Sequence, residues 1–460
     1  MEFLNKKNQS WLLQKIYEFS DRKAIVDQNG QYTYKELYDQ VLTYLNSFEK
    51  KEIKENQTLI IHSDYNFYAI SLFLALYEKR SIIVPLVSNI KEEINQKISV
   101  SSCDALIKLK DDGGIDLESF PKKNKHHLAN DLVKEDKAGL ILFSSGSTGE
   151  PKAMIHNLNI LVDGFQDRRQ RSLNIIIFLM FDHIGGLNTL LNFLASGSNI
   201  ILPSNRNPLD IAELIEKHEV HILPASPTFL NMMLMADATK KYDFSSLKMI
   251  TYGTEIMPES LLKRLRIEFP KTKFLQTFGT SETGISQTTS RSSESLEMKL
   301  NDENQEYKIV EGELWLRSKT QILGYLNSEM TSFTEDGWFK TGDLVEELED
   351  GYIRVIGREK EVINVGGEKV LPSEIESYLM QMEIVLDALV HGEKNAITGQ
   401  GVVADVVIID GIENKKARSM IRMFCRENMT AYKIPTKINF IKQTNISDRV
   451  KKIRLNKETH

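Results

Sequence analysis

Between about residue 138 and residue 280 the chain alternates short apolar runs with amphipathic stretches, and no other feature restricts its fold so tightly. Ala138 to Phe143, Asn174 to Met180, Asn199 to Pro203, Val220 to Pro224, Leu247 to Tyr252 and Phe274 to Phe278 read as strands. The intervening spacing predicts helices at about 186–195, 208–219, 227–237 and 258–269. Strand–helix alternation of this kind argues for an α/β fold, a largely parallel sheet with helices on its faces. Ligands of such sheets sit outside the carboxyl ends of the strands. The first 130 residues hold further α/β material, such as Thr58 to His62 and Ile82 to Leu86.

The first of these runs ends in Ile141-Leu-Phe-Ser-Ser-Gly-Ser-Thr-Gly-Glu-Pro-Lys152. A strand here feeds a loop of hydroxyl residues and glycines whose N–H groups can turn towards one polyanion. Gly146 and Gly149 let the backbone approach a phosphate, Lys152 adds a point charge, and Pro151 restricts the exit. Composition alone also fits a flexible linker, but a linker has no need of the buried strand before it. A Walker-type loop fails on spacing, because the lysine follows a proline instead of completing Gly-Lys-Ser/Thr. A nucleotide triphosphate is the guest this loop suits. Gly279-Thr-Ser-Glu282 also follows an expected strand, which places a second polar element at the same kind of edge.

Beyond residue 285 the pattern changes to short strands and turns. Gly312-Glu-Leu-Trp-Leu-Arg317, Asp336-Gly-Trp-Phe-Lys-Thr-Gly-Asp343 and Asp350-Gly-Tyr-Ile-Arg-Val-Ile-Gly357 carry Asp-Gly pairs between alternating apolar residues, a hairpin signal. A boundary is expected near 357–361, dividing the chain into 1–357 and 358–460. The net charge of −6 over 460 residues gives no reason to expect nucleic acid. Cys103 and Cys425 stand far apart, against a disulfide framework or a zinc site. No run approaches the roughly 20 apolar residues a membrane span needs, and the start lacks the core of a signal peptide. A cytoplasmic enzyme is the expectation.

Together these motifs resemble the adenylate-forming ligase superfamily: acyl- and aryl-CoA synthetases, adenylation domains of peptide synthetases, and luciferases. Ser144 to Lys152 resembles the family's phosphate loop, and Phe278-Gly-Thr-Ser-Glu282 its Tyr-Gly-x-Thr-Glu element. Gly337 to Asp343 and Gly357-Arg358 resemble the ribose-binding and hinge segments. Gly366-Gly-Glu-Lys-Val-Leu-Pro-Ser-Glu-Ile-Glu376 resembles the loop lining the thiol channel, while Tyr432-Lys-Ile-Pro435 and Lys451-Lys-Ile-Arg454 match the last two elements. The likeness runs in order from about 140 to 455, and the first 130 residues match only in general pattern.

The resemblance implies a large N-terminal domain of parallel-rich sheets with a small barrel-like β part, and a small mobile C-terminal α+β domain. It implies two half-reactions. A carboxylate attacks the α-phosphate of MgATP, giving an acyl-adenylate and pyrophosphate. Then a thiol, from coenzyme A or a carrier-protein phosphopantetheine, displaces AMP. The partners would be a small carboxylic acid and, for the second thiol, an acyl or peptidyl carrier protein.

Carried over by motif, Ser144, Ser145, Gly146, Ser147, Thr148, Gly149 and Lys152 hold the phosphates. Glu282 ligates Mg²⁺, and Ser281, where the family usually has Thr, keeps a hydroxyl for the α-phosphate. Phe278, Gly279, Thr280, Thr254 and Glu255 line the nucleotide and acid site; Asp343 and Arg358 take the ribose; Lys360 is the hinge; Gly366 and Gly367 line the thiol channel. Lys451 is the catalytic lysine, preferred over Lys452 because Arg454 then falls at the family's spacing, although Val450 replaces the usual Gly. His183, in Phe181-Asp-His-Ile-Gly-Gly-Leu187, lies beside the acyl pocket or is a satisfied structural histidine. Asp182 keeps open an amino-acid-adenylating enzyme that loads a carrier protein. A nucleotide-binding relative lacking one half-reaction is the third reading.

Overall fold

The computed structural model describes residues 8–144, 151–447 and 450–453. Strands Lys23–Asp27 (β1), Gly30–Thr33 (β2), Thr58–His62 (β3), Ile82–Leu86 (β4), Ala105–Leu109 (β5), Ile115–Ser119 (β6), Gly139–Ser144 (β7) and Lys152–Asn157 (β8) come first in the chain. Asn174–Ile176 (β9), Asn199–Ile201 (β10), Ile222–Ala225 (β11), Met249–Tyr252 (β12), Lys273–Gln276 (β13), Phe278–Thr280 (β14) and Gly284–Ser286 (β15) follow. They form two seven-stranded sheets and a small hairpin. One sheet runs β13-β12-β11-β9-β10-β1-β2; the other runs from the short strand Gly324–Tyr325 through β8-β7-β4-β3-β5-β6.

The alternation between 138 and 280 therefore feeds two sheets. Strands β9 to β13 are mutually parallel, whereas β7 joins the other sheet and turns back antiparallel through β8. Apolar runs report burial and leave the choice of sheet open. The run from Asn174 stops pairing earlier than its composition predicts, because side chains take the backbone groups beyond it. Phe178 O accepts from Arg206 Nε at 2.6 Å, and the Phe181 N–H donates to Asp64 Oδ1 at 3.1 Å. The helices begin where the sequence caps them. Asn207 accepts from Leu209 N ahead of Pro208–Lys217, and Ser226 from Phe229 N ahead of Pro227–Met235, each with proline in the first turn.

Between 288 and 358 lies a six-stranded sheet whose strands Phe339–Glu347 and Ile353–Arg358 pair antiparallel. The Asp-Gly signal between them takes the expected form, with Asp350 at φ 59° and Gly351 at φ 71°, as a tight hairpin requires. After a short turn at Glu359–Glu361 comes a smaller α+β unit, with helices Pro372–Leu379 and Asn414–Asn428 on a five-stranded sheet. Its apolar residues Ile375, Leu379 and Val390 share one buried cluster with Phe229, Tyr252 and Leu265 of the larger part. The smaller unit thus packs on the β9–β13 half.

Candidate active site

The motif that opens at Ser144 is framed by a hairpin. Ser144 and Lys152 are register partners at the open end of β7 and β8. Ser145, Gly146, Ser147, Thr148 and Gly149 lie outside the described residues. The frame is held from 175 residues away. Asn327 Nδ2 donates to Pro151 O at 3.0 Å, and Asn327 Oδ1 accepts from Ala153 N at 2.9 Å, so one side chain grips both sides of Lys152. The Lys152 ammonium lies 5.1 Å from the Tyr325 ring centroid. The Tyr325 hydroxyl donates to Glu282 Oε1 at 3.0 Å, and burial together with Glu282 pushes that phenol's pKa up. Sequence reasoning missed Tyr325 and Asn327. Their signal is the run Gly324-Tyr-Leu-Asn327, a strand of two residues that no periodicity can reveal.

Glu282 sits on the tight turn between β14 and β15, with Ser281 beside it. Thr280 supports that turn: its Oγ1 accepts from Thr283 N at 3.1 Å and contacts Thr283 Oγ1 at 2.9 Å. Its hydroxyl is thereby engaged locally. Gly279 pairs so closely with β15 that a Cβ there would meet Gly284 O at 2.6 Å. Phe278 packs against the core of the six-stranded sheet.

Asp343 and Arg358 are register partners on adjacent strands, joined by Arg358 Nε to Asp343 Oδ1 at 2.9 Å. Asp343 is buried, and burial raises its pKa against the opposing pull of Arg358. Arg358 in turn is held charged, mainly by Asp343 and also by Glu361 and Glu282, which ties these groups into one field.

A cavity of about 720 Å³ opens between the two parts of the chain, and Ser144, Thr254, Glu255, Arg358 and Lys451 are in its wall. Thr254 follows β12 at φ 71°, a region that β-branched residues rarely adopt. The tail carrying Lys451 forms a small hairpin, with Ile446 bridged to Lys452. It is fastened on both sides of Lys451: Ser226 Oγ donates to Val450 O at 2.6 Å, and the Lys452 N–H donates to Glu255 Oε1 at 2.6 Å. Val450 is buried and adopts φ 51°, a left-handed conformation that glycine takes freely. The position thus demands what Gly supplies, and this chain meets it with a strained valine. Lys452 also borders the cavity, and its Nζ meets Asp387 Oδ1 and Ala388 O of the smaller unit, each at 2.7 Å. Burial alone lowers its pKa, but the carboxylates of Asp387, Glu376 and Glu255 outweigh this and keep it charged.

The other expected residues lie elsewhere. His183 Nδ1 accepts from Gly185 N at 3.0 Å and caps the helix Ile184–Ser196. Asp182 faces Lys97 across 3.6 Å. Lys360 is exposed on the turn Glu359–Glu361, and Gly366 and Gly367 form an exposed turn at φ 60° and 94°, outside the cavity wall.

One cavity is thus lined from both parts of the chain, by Ser144 and Thr254 of the larger part and by Glu376 and Asp387 of the smaller unit. Residues 12–326 match the family model for the AMP-binding enzyme, and 374–448 match the AMP-binding enzyme C-terminal domain. The chain belongs to the AMP-binding enzyme family. It is 30% identical over 397 residues to a peroxisomal OPC-8:0-CoA ligase of Arabidopsis thaliana, covering 78% of this chain and 72% of that one. Against a probable CoA ligase of Humulus lupulus it is 32% identical, covering 67% and 61%. The fold matches an anthranilate CoA ligase in complex with anthranoyl-AMP at a TM-score of 0.81 and 19% identity, over 96% of this chain and 95% of that one. It also matches the o-succinylbenzoate CoA synthetase of Bacillus subtilis at 0.76 and 20%, over 98% of each chain.

Proposed function

We propose that the chain activates a small carboxylic acid with ATP, releasing pyrophosphate, and passes the acyl group from the adenylate to a thiol. The observation that carries this reading is Lys451, delivered by the tail into the cavity that Arg358, Thr254 and Ser144 also border. Attack by a carboxylate on an α-phosphate brings two anions together, and a cation held between them stabilises the charge that develops. Lys451 supplies that cation. Asp343 accepts from the ribose hydroxyls while Arg358 holds its carboxylate in place. The Ser144–Lys152 frame positions the pyrophosphate as leaving group, with Lys152 as its charge.

Glu282 suits Mg²⁺. The ion favours one or two carboxylates plus substrate phosphates over a protein cage, and among the described residues no group of three or more His, Cys, Asp or Glu forms such a cage. One Glu282 oxygen takes the Tyr325 hydroxyl, which orients the carboxylate. Bound there, the ion would neutralise phosphate charge.

We divide the chain functionally at 357/358, with Lys360 in the turn about which the smaller unit moves. Gly366 and Gly367 then serve the second half-reaction, after that unit has turned. The acceptor is coenzyme A, as in the named relatives, with carrier-protein phosphopantetheine as the alternative. Among the described residues no helix is long and apolar enough to cross a membrane, and Cys103 and Cys425 are free thiols, as a cytoplasmic setting allows. The amino-acid reading rested on Asp182, whose carboxylate already faces the Lys97 ammonium. The test is exchange of pyrophosphate into ATP over fatty, aromatic and amino acids. Exchange with fatty or aromatic acids supports the proposal, exchange with amino acids alone replaces it, and none with any acid defeats it.

A further inference from the structure

Lys97 belongs to none of the roles given so far. It lies on the helix Lys91–Ser101, which borders the cavity through Glu93, Gln96 and Lys97. The residue is only 7% exposed. Its ammonium stands 5.5 Å from the Phe143 ring centroid and 3.6 Å from Asp182 Oδ2. The second distance balances charge but is too long for a hydrogen bond. Among the described residues nothing accepts any of the three N–H donors of Lys97. At the cavity wall those donors are open to an acceptor that fills the cavity.

The surrounding charges restrict what that acceptor is. Asp182 stands beside the ammonium, and Glu93 lies one helical turn earlier on the same face. A phosphate or a second carboxylate brought to Lys97 would meet both. An uncharged oxygen takes the N–H donors without that repulsion, and the Phe143 ring offers an apolar flank for the carbon that bears it.

Resting on the ligase reading above, we infer that Lys97, seated on Asp182, determines specificity by binding an uncharged oxygen acceptor remote from the reacting carboxylate. The acid it selects is a hydroxy, keto or ether acid in preference to the plain hydrocarbon analogue.

The test compares kcat/KM in pyrophosphate exchange for matched acids: hydroxybenzoates with benzoate, hydroxycinnamates with cinnamate, and hydroxy fatty acids with their parents. Lys97→Met removes the donor. Lys97→Met/Asp182→Asn also removes the carboxylate left behind, and serves if the single variant does not fold. The wild-type chain is expected to favour the oxygenated partner by about 10- to 100-fold in at least one pair, the range for a hydrogen bond to a charged group. Either variant should abolish that preference with the KM for ATP and for the thiol unchanged. Equal preference in the wild type, a preference that survives in the variants, or an effect confined to the KM of ATP or thiol overturns the inference. In those outcomes the ligase reading stands. Absence of exchange with every acid removes both together.

Discussion

Glu255 on the β12 turn and Lys452 in the tail are joined at 2.6 Å, carboxylate to backbone N–H, one residue beyond the lysine assigned to catalysis. The same carboxylate reaches Thr228 N at 3.3 Å through its other oxygen. With Ser226 on Val450, this makes a grip that sets where Lys451 stands. Glu255→Ala should slow adenylation about tenfold or more, the scale of a lost charge-assisted hydrogen bond. Thioester formation from supplied acyl-adenylate should be spared. Equal loss in both half-reactions would show that Glu255 does not act through the tail.

The two adjacent lysines should separate cleanly. Lys451→Ala should cut pyrophosphate exchange by about 10²–10³, as for other preorganised donors, with little change in thermal midpoint. Lys452→Ala instead strands Asp387, which keeps the neutral donors Thr444 Oγ1 at 2.7 Å and Ala388 N at 3.0 Å but loses its counter-charge, and should cost about 3–5 kcal/mol of stability. Denaturant titration beside exchange assays distinguishes the pair; the reverse pattern would exchange their roles.

Asn327→Ala removes both bonds that hold the chain around Lys152. The KM for ATP should rise about tenfold, while the KM for the acid stays level. A change confined to the acid would place the hairpin frame away from the nucleotide. Tyr325→Phe frees one oxygen of Glu282 from its partner, and should alter the Mg²⁺ concentration needed for half-maximal exchange more than the KM of the acid.

Acid should destabilise the chain through His156 on β8. Burial pulls its imidazole down to about 4, from an ordinary value of 6.5. Between those pH values the unfolded chain takes up a proton that the folded chain refuses. This contribution is intact above the unfolded value and is lost as pH falls through the window, by up to roughly 3 kcal/mol. His156→Leu should flatten the stability profile between pH 7 and 4 in urea titrations. Parallel losses in both proteins would assign the acid sensitivity to other groups.

Much of this architecture was legible from local chemistry. Turn residues such as Asp350-Gly351, caps such as Ser226-Pro227 and the apolar runs each act within a few positions, so the sequence displays them directly. Which sheet a run joins is decided by packing, and β7 and β9 look alike yet separate. Tyr325, Asn327 and Lys97 acquire meaning only through partners 43, 174 and 85 positions away. The choice of Lys451 over its neighbour rested on spacing. In the structure both lysines border the cavity, and Lys452 is paired with Asp387.

The register of β7 against β8 has a consequence for how such a loop can change. Ser144 and Lys152 face each other across seven intervening residues. Ala153 and Ile155 point into one hydrophobic cluster, while Met154 between them points into another. Inserting or deleting a single residue would turn β8 over and exchange those faces. The length of the loop is therefore policed by two cores at once, a constraint separate from whatever its letters must do for a phosphate.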